Sequence, residues 1–146
     1  METVKIKVLN EKAVIPKYAT VSSAGADLYA LCDGDIKISP GETYVVHTGV
    51  SIEIPEGLAG FIFARSGLAT KRGLAPANKV GVIDSDYRGE IMVTLHNHSG
   101  KEQIVSAGER IAQIVFMPYV AAEFVLSEEL SDTVRGEGGF GSTGTK

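Results

Sequence analysis

Four stretches of this 146-residue chain gather side chains that could do chemistry. Between 78 and 91 an alternating, strand-like run is interrupted by Asp84-Ser85-Asp86-Tyr87-Arg88-Gly89. Val80, Val82 and Ile83 before it and Ile91, Val93 and Leu95 after it favour extended structure, so the polar residues read as the tip of a hairpin. A tip needs neither two carboxylates nor an aromatic ring and an arginine, although turns tolerate all of them. Arg65-Ser66-Gly67 places a cation, a hydroxyl and a backbone N–H at the start of a short helical segment, where anions are attracted; a capped helix with a surface arginine is the other reading. Asp27, among small and apolar residues 24–30, reads by position as a turn or edge carboxylate. Beside a bound phosphate, the same group holds hydrated Mg²⁺. In residues 135–144 glycine takes five positions. Such glycines let backbone N–H groups converge on an anion, with Arg135 adding a fork of donors and Ser142 and Thr143 adding hydroxyls. Phe140 could stack on a nucleobase there, and a plain flexible terminus is the alternative.

Several pattern matches fail on context. Gly136, Gly138 and Gly141 have dinucleotide-fingerprint spacing but do not lie between a strand and a helix. Gly139 and Gly144 have P-loop spacing, yet Thr145-Lys146 follows in the wrong order. Asp84 opens an EF-hand-like loop whose fifth position is Arg88 and whose twelfth is Leu95, where a bidentate glutamate belongs. His96 and His98 could share a strand face as metal ligands, but Asn97 to Gly100 reads as a turn, and His47 is read as structural. No Ser-His-Asp order or activated cysteine appears.

The elements that must position these residues are short strands. Val4, Ile6 and Val8 alternate with lysines as a strand with one wet face does. Ile36 and Ile38, Tyr44 to His47, Ile52 and Ile54, Ile104-Val105, Ile111 to Met117 and Glu123 to Leu126 continue the series. Gly and Pro punctuate it, which predicts an all-β sandwich or barrel. The one helix is expected over Ser66 to Arg72, with Ser66 as N-cap and Gly73 as stop. The length suits a single domain, expected over residues 1–126, followed by a glycine-rich C-terminal arm over 127–146. With 18 acidic and 14 basic residues the net charge is -4. That argues against a broad nucleic-acid or anionic-membrane surface, so any phosphate site must be local. No apolar run approaches a membrane span of roughly 20 residues, and the start lacks a signal-peptide core, so a cytoplasmic or other reducing compartment is expected. Cys32, the single cysteine, reads as a buried, inert thiol.

Five stretches, residues 16–30, 64–69, 78–91, 108–118 and 135–144, resemble in order and spacing the five motifs of the trimeric dUTPases, and the resemblance covers nearly the whole chain. It implies a jelly-roll-like subunit, a homotrimer with active sites shared between subunits, and Mg²⁺-assisted hydrolysis of dUTP to dUMP and pyrophosphate. By motif, Asp84 would orient and deprotonate the attacking water, and Asp27 would hold Mg²⁺ through water. Arg65, Ser66, Gly67 and Gln113 would contact the phosphates. Arg135, Ser142 and Thr143 would close over the γ-phosphate while Phe140 stacks on the uracil, and Gly141 would also belong to the substrate-binding set. Asn78 and the backbone of Gly81, Val82 and Ile83 would read the uracil edge. Tyr87, with Met92 alongside, would pack under the deoxyribose and exclude a 2′-hydroxyl. Asp86 and Arg88 would fix the turn and subunit contacts, whereas Lys79 and His47 have no role in the pattern. Two rivals remain: a dCTP deaminase of the same superfamily, and a nucleotide-sensing or protein-binding trimer without catalysis.

Overall fold

The computed structural model describes residues 2–139, within which the chain forms eleven strands and one helix. A four-stranded sheet holds, in spatial order, β1 (Lys5–Val8), β5 (Thr43–Glu53), β9 (Glu90–Asn97) and β7 (Leu74–Pro76). A five-stranded sheet holds β2 (Lys17–Tyr18), β3 (Ala26–Tyr29), β11 (Arg110–Pro118), β6 (Leu58–Phe63) and β8 (Gly81–Ile83). A two-stranded ribbon joins β4 (Ile36–Ile38) to β10 (Gln103–Val105). All of these pairings are antiparallel. Leu28, Val46, Val50, Ile91, Leu95, Ile111 and Ile114 belong to one buried cluster drawn from both large sheets. Each such side chain contributes about 1.5–3 kcal/mol through burial, so a two-layer sandwich answers the period-two sequence. Both sheets keep free edges among the described residues, at β1 and β7 and at β2 and β8, so this is a jelly-roll-like sandwich and not a closed barrel.

The stretch expected to be a hairpin is not one. β8 pairs with β6 in the five-stranded sheet, whereas β9 pairs with β5 and β7 in the other. Residues 84–89 therefore arch between the two layers. Alternation identifies a strand and its inner face, but it does not choose the partner strand. The arch closes locally: Tyr87 N–H donates to the Asp84 carbonyl at 3.2 Å, and Arg88 donates to the Ser85 and Tyr87 carbonyls at 2.6 and 3.0 Å.

Other expectations shift for equally local reasons. Tyr44 to His47 and Ile52 belong to the single long strand β5, broken by a register shift between His47 and Ser51, and Ile54 lies just past its end. β1 leaves Ile6 37% and Val8 44% exposed, because it is an edge strand with no layer closing over it in one chain. No strand forms over Glu123 to Leu126, where Phe124 and Leu126 are fully exposed and the backbone has no partner strand among the described residues. Cys32 is half-buried and free. None of the described helices is long and apolar enough to cross a membrane.

Helix α1 (Ser66–Arg72) ends where expected, at Gly73. Gly73 is left-handed with φ 68°, its N–H returns to the Ala69 carbonyl, and a Cβ there would lie 2.7 Å from the Ser99 Cβ. At the other end the N-cap is Arg65, not Ser66, with no side-chain capping bond. The chain leaves β6 still extended, so Ser66 is already helical and its hydroxyl is not spent on the cap.

The β5 irregularity is held by Gly49 and Glu90. Gly49 has φ 71°, and a Cβ would lie 2.6 Å from Leu31 Cδ2 and 2.7 Å from the Ala13 Cβ. Gly49→Ala should therefore cost at least about 2 kcal/mol from overpacking and left-handed strain together. Urea melts of the two proteins check this, and equal midpoints would show that the bulge relaxes freely. Burial pushes the Glu90 carboxyl upward, but bonds from His47 and the Gly49 N–H outweigh it and hold the carboxyl below its ordinary 4.5. The stability gained is complete above that ordinary value and is lost as pH falls through the lower folded value. Glu90→Gln should accordingly flatten the acid limb of stability against pH, measured by urea melts at stepped pH. Superimposable limbs would contradict this.

Candidate active site

Three neighbouring strands of the five-stranded sheet build the first cleft. Gln113 on β11 stands in register with Asp27 on β3 on one side and with Phe63 on β6 on the other. Two residues beyond Phe63 the chain reaches Arg65 and turns into α1, so a carboxylate, an amide, a guanidinium and a hydroxyl arrive together. Asp27, Arg65, Ser66, Gly67 and Gln113 line one cleft of about 480 Å³ with Ser23 and Gly25. Asp27 is an interior residue of its sheet, only 8% exposed, rather than a turn or edge carboxylate. Burying a carboxylate requires cationic or hydrogen-bonding partners. Arg65 Nε donates to its Oδ1 at 2.8 Å and Arg110 donates to its Oδ2 at 3.3 Å. The Arg65 bond uses Nε, which leaves the terminal nitrogens of the guanidinium fork for an anion. Gln113 Nε2 donates to the Ala64 carbonyl at 3.0 Å, and its Oε1 lies against Gly25, where a Cβ would sit 2.5 Å away.

A second cleft, of about 360 Å³, forms where the arch leaves β8 and enters β9. Val82, Ile83, Asp84, Tyr87 and Met92 line it, together with Glu90. Asp84, Tyr87 and Met92 are exposed. The Tyr87 hydroxyl donates to the Glu90 carbonyl at 3.0 Å, and the ring lies so close to Gly89 that a Cβ there would be 2.3 Å from the hydroxyl oxygen. Upstream, the turn after β7 carries Asn78, whose Nδ2 would be 3.3 Å from a Cβ at Gly81. Lys79 follows in the left-handed region with φ 66°, the one described non-glycine residue to do so.

The two clefts share no lining residue. Of the remaining candidates, Arg135 is exposed and lines neither cleft; its Nε donates to the Gly138 carbonyl at 2.8 Å, closing a small turn. Phe140, Gly141, Ser142 and Thr143 lie outside the described residues. His96 and His98 stack with ring centroids 6.1 Å apart, and His96 meets the Thr43 hydroxyl at 3.1 Å. Among the described residues no group of three or more His, Cys, Asp or Glu is placed to hold a metal. Sequence reasoning missed Arg110, Ser23, Gly25 and Glu90. Arg110 is hidden because a cation on a strand normally reads as a solvent-facing residue; the small run Ala24-Gly25-Ala26 was a signal of close approach that went unused.

Comparison with known proteins gives the family. The dUTPase family model matches residues 11–144. The chain belongs to the dUTPase family. A deoxyuridine 5'-triphosphate nucleotidohydrolase of Desulfitobacterium hafniense is 50% identical, covering 99% of both chains. One from Nautilia profundicola is 52% identical over 96% of this chain and 97% of its own. Among solved structures, the dUTPase of Staphylococcus bacteriophage 80alpha with dUpNHpp superposes with a TM-score of 0.85 at 28% identity, covering 99% of each chain. A mutant dUTPase from phage phi11 of S. aureus, described for its coordination of a structural Mg(II) ion, gives 0.78 at 25% identity over 88% of this chain and 98% of that one.

Proposed function

We propose that this protein hydrolyses dUTP to dUMP and pyrophosphate. It thereby removes dUTP from the nucleotide pool and supplies dUMP for dTMP synthesis. The observation that carries the reading is the pair of clefts: one has a cation, a hydroxyl and an amide suited to phosphates, the other an exposed carboxylate beside an aromatic ring suited to a water and a sugar. The relatives' shared name, deoxyuridine 5'-triphosphate nucleotidohydrolase, supports the same reaction.

In this reading Asp84 orients a water for attack at the α-phosphorus and accepts its proton, while the pyrophosphate leaves in line. An aspartate is a weak base at neutral pH, so most of the acceleration comes from holding water and phosphate together. Arg65, Ser66, the Gly67 N–H and Gln113 take the phosphate chain. Asn78 and the backbone of Gly81, Val82 and Ile83 read the uracil edge, leaving no room for a thymine methyl. Tyr87 and Met92 pack against the deoxyribose. The segment 127–146 acts as an arm, with Arg135, Gly141, Ser142 and Thr143 at the γ-phosphate and Phe140 on the uracil.

Mg²⁺ fits this donor set as a hydrated ion carried by the triphosphate, because such an ion keeps its waters and needs few protein ligands. The Asp27 carboxylate, fixed by Arg65 and Arg110 in the wall of the first cleft, is the group to accept hydrogen bonds from those waters. When bound, Mg²⁺ neutralises phosphate charge and polarises the phosphorus. Because the clefts share no residue within one chain, a homotrimer that sets the first cleft of one subunit against the second of its neighbour would complete each site. The reaction is assigned to the cytoplasm, a setting that suits a single free cysteine.

Pyrophosphate release from dUTP, dTTP, UTP and dCTP in the presence of Mg²⁺ tests the reading. Release from dUTP far above the other three is expected. Silence with dUTP, equal rates with dTTP and UTP, or ammonia from dCTP would refute it.

A further inference from the structure

We infer that the His47–Glu90 pair is a positioning device for the 84–89 arch, and that it sets how sharply the enzyme separates deoxyribose from ribose substrates. The inference rests on the reading of Tyr87 as the residue packed under the sugar, and extends it to Glu90, which also lines that cleft, and to His47, which does not.

Glu90 is held at both carboxylate oxygens. The Gly49 N–H donates to Oε1 at 2.7 Å and His47 Nδ1 donates to Oε2 at 2.9 Å. The anchor beneath is stiff: Gly49 is wedged against Leu31 and Ala13 in the left-handed region, and the neighbouring Thr48 hydroxyl donates to the Ile91 carbonyl. The same Glu90 turns its backbone carbonyl to the Tyr87 hydroxyl at 3.0 Å. A continuous line of bonds therefore runs from the β5 bulge, through the Glu90 side chain and main chain, to the phenol.

Packing alone does not fix that ring. Tyr87 is 40% exposed, and the remaining bonds of the arch, from the Tyr87 N–H and from Arg88, are made within the arch itself. Among the described residues the phenol's bond goes to the Glu90 carbonyl, and Glu90 is tied to β5 both by its main-chain pairing with Ser51 and by a side chain that reaches the bulge. A ring that excludes a 2′-hydroxyl by contact must resist being pushed aside, since a wall that yields cannot discriminate. Loosening Glu90 should thus relax selection at the sugar more than it slows the chemistry at phosphorus. His47 is half-exposed and does not line the ring's cleft, so it acts by fixing the carboxylate rotamer.

The test is kcat and KM for dUTP and UTP with wild type, Glu90→Ala, Glu90→Gln and His47→Ala, alongside thermal melts. Glu90→Ala is expected to raise the UTP-to-dUTP ratio of kcat/KM by about tenfold, the scale of one lost anchoring contact. The change should fall mainly on KM for UTP. Glu90→Gln, which keeps an acceptor for Gly49 and a polar partner for His47, should restore most of the selectivity, and His47→Ala should lie between. A folded Glu90→Ala enzyme with the wild-type ratio overturns the inference. If Glu90→Ala does not fold, an unchanged ratio in His47→Ala overturns it. Wild type that fails to hydrolyse dUTP refutes the proposed function itself, whereas wild type and variants that discriminate equally refute only this extension.

Discussion

Asp84→Asn lowers kcat for dUTP by about 10²- to 10⁴-fold, the range that general-base assistance contributes, with little change in KM. Asparagine keeps the shape of the side chain and an oxygen that can accept a hydrogen bond from water. What it loses is the capacity to take the proton. Asp84 is exposed on the arch and its carboxylate makes no side-chain hydrogen bond among the described residues, so the substitution should leave the melting temperature unchanged. The split between kcat and KM is the informative part. If Asp84 only contacted substrate, KM would rise and kcat would hold; if it were a solvated loop residue, neither would move. Steady-state kinetics over a range of dUTP concentrations distinguish the three cases.

Mixing two inactive proteins should restore activity. Arg65→Ala disables the first cleft and Asp84→Asn the second, so in the proposed homotrimer each protein alone has three defective sites. When the two proteins are co-unfolded and refolded in equal amounts, some neighbouring subunits present an intact first cleft to an intact second one. Random assembly gives about one quarter of the sites this arrangement, and hence about one quarter of wild-type activity. If each chain instead built its site alone, every site would keep one defect and the mixture would be as inactive as its components. The expectation follows from the two clefts sharing no lining residue. Arg65→Ala also leaves Asp27 with Arg110 as its remaining cation, so circular dichroism of that variant should accompany the assay.

Much of the fold was legible because short alternating strands betray themselves by period, and Gly73 stopped the helix where a left-handed residue was needed. Partnering was not legible. Residues 80–95 carry the alternation of a hairpin, yet the strands on either side of the arch enter different sheets, because the pairing depends on what β6 and β5 offer across the sandwich. The apolar pattern at Glu123 to Leu126 likewise has no layer to join within one chain. At the site, Arg65, Ser66 and Asp84 drew notice as polar groups in turns. Asp27 could not be weighed properly until Arg110, distant in sequence, was seen beside it. Glu90 was invisible for the same reason: its partners His47 and Gly49 lie on another strand, brought together by a bulge that no local pattern announces.

The most direct test of the central claim is hydrolysis of dUTP in isotopically labelled water, followed by mass spectrometry of both products. Attack at the α-phosphorus places the heavy oxygen in dUMP and leaves pyrophosphate unlabelled. Label in pyrophosphate, or a monophosphate released in its place, would contradict the assignment of Asp84 and the phosphate cleft to that bond.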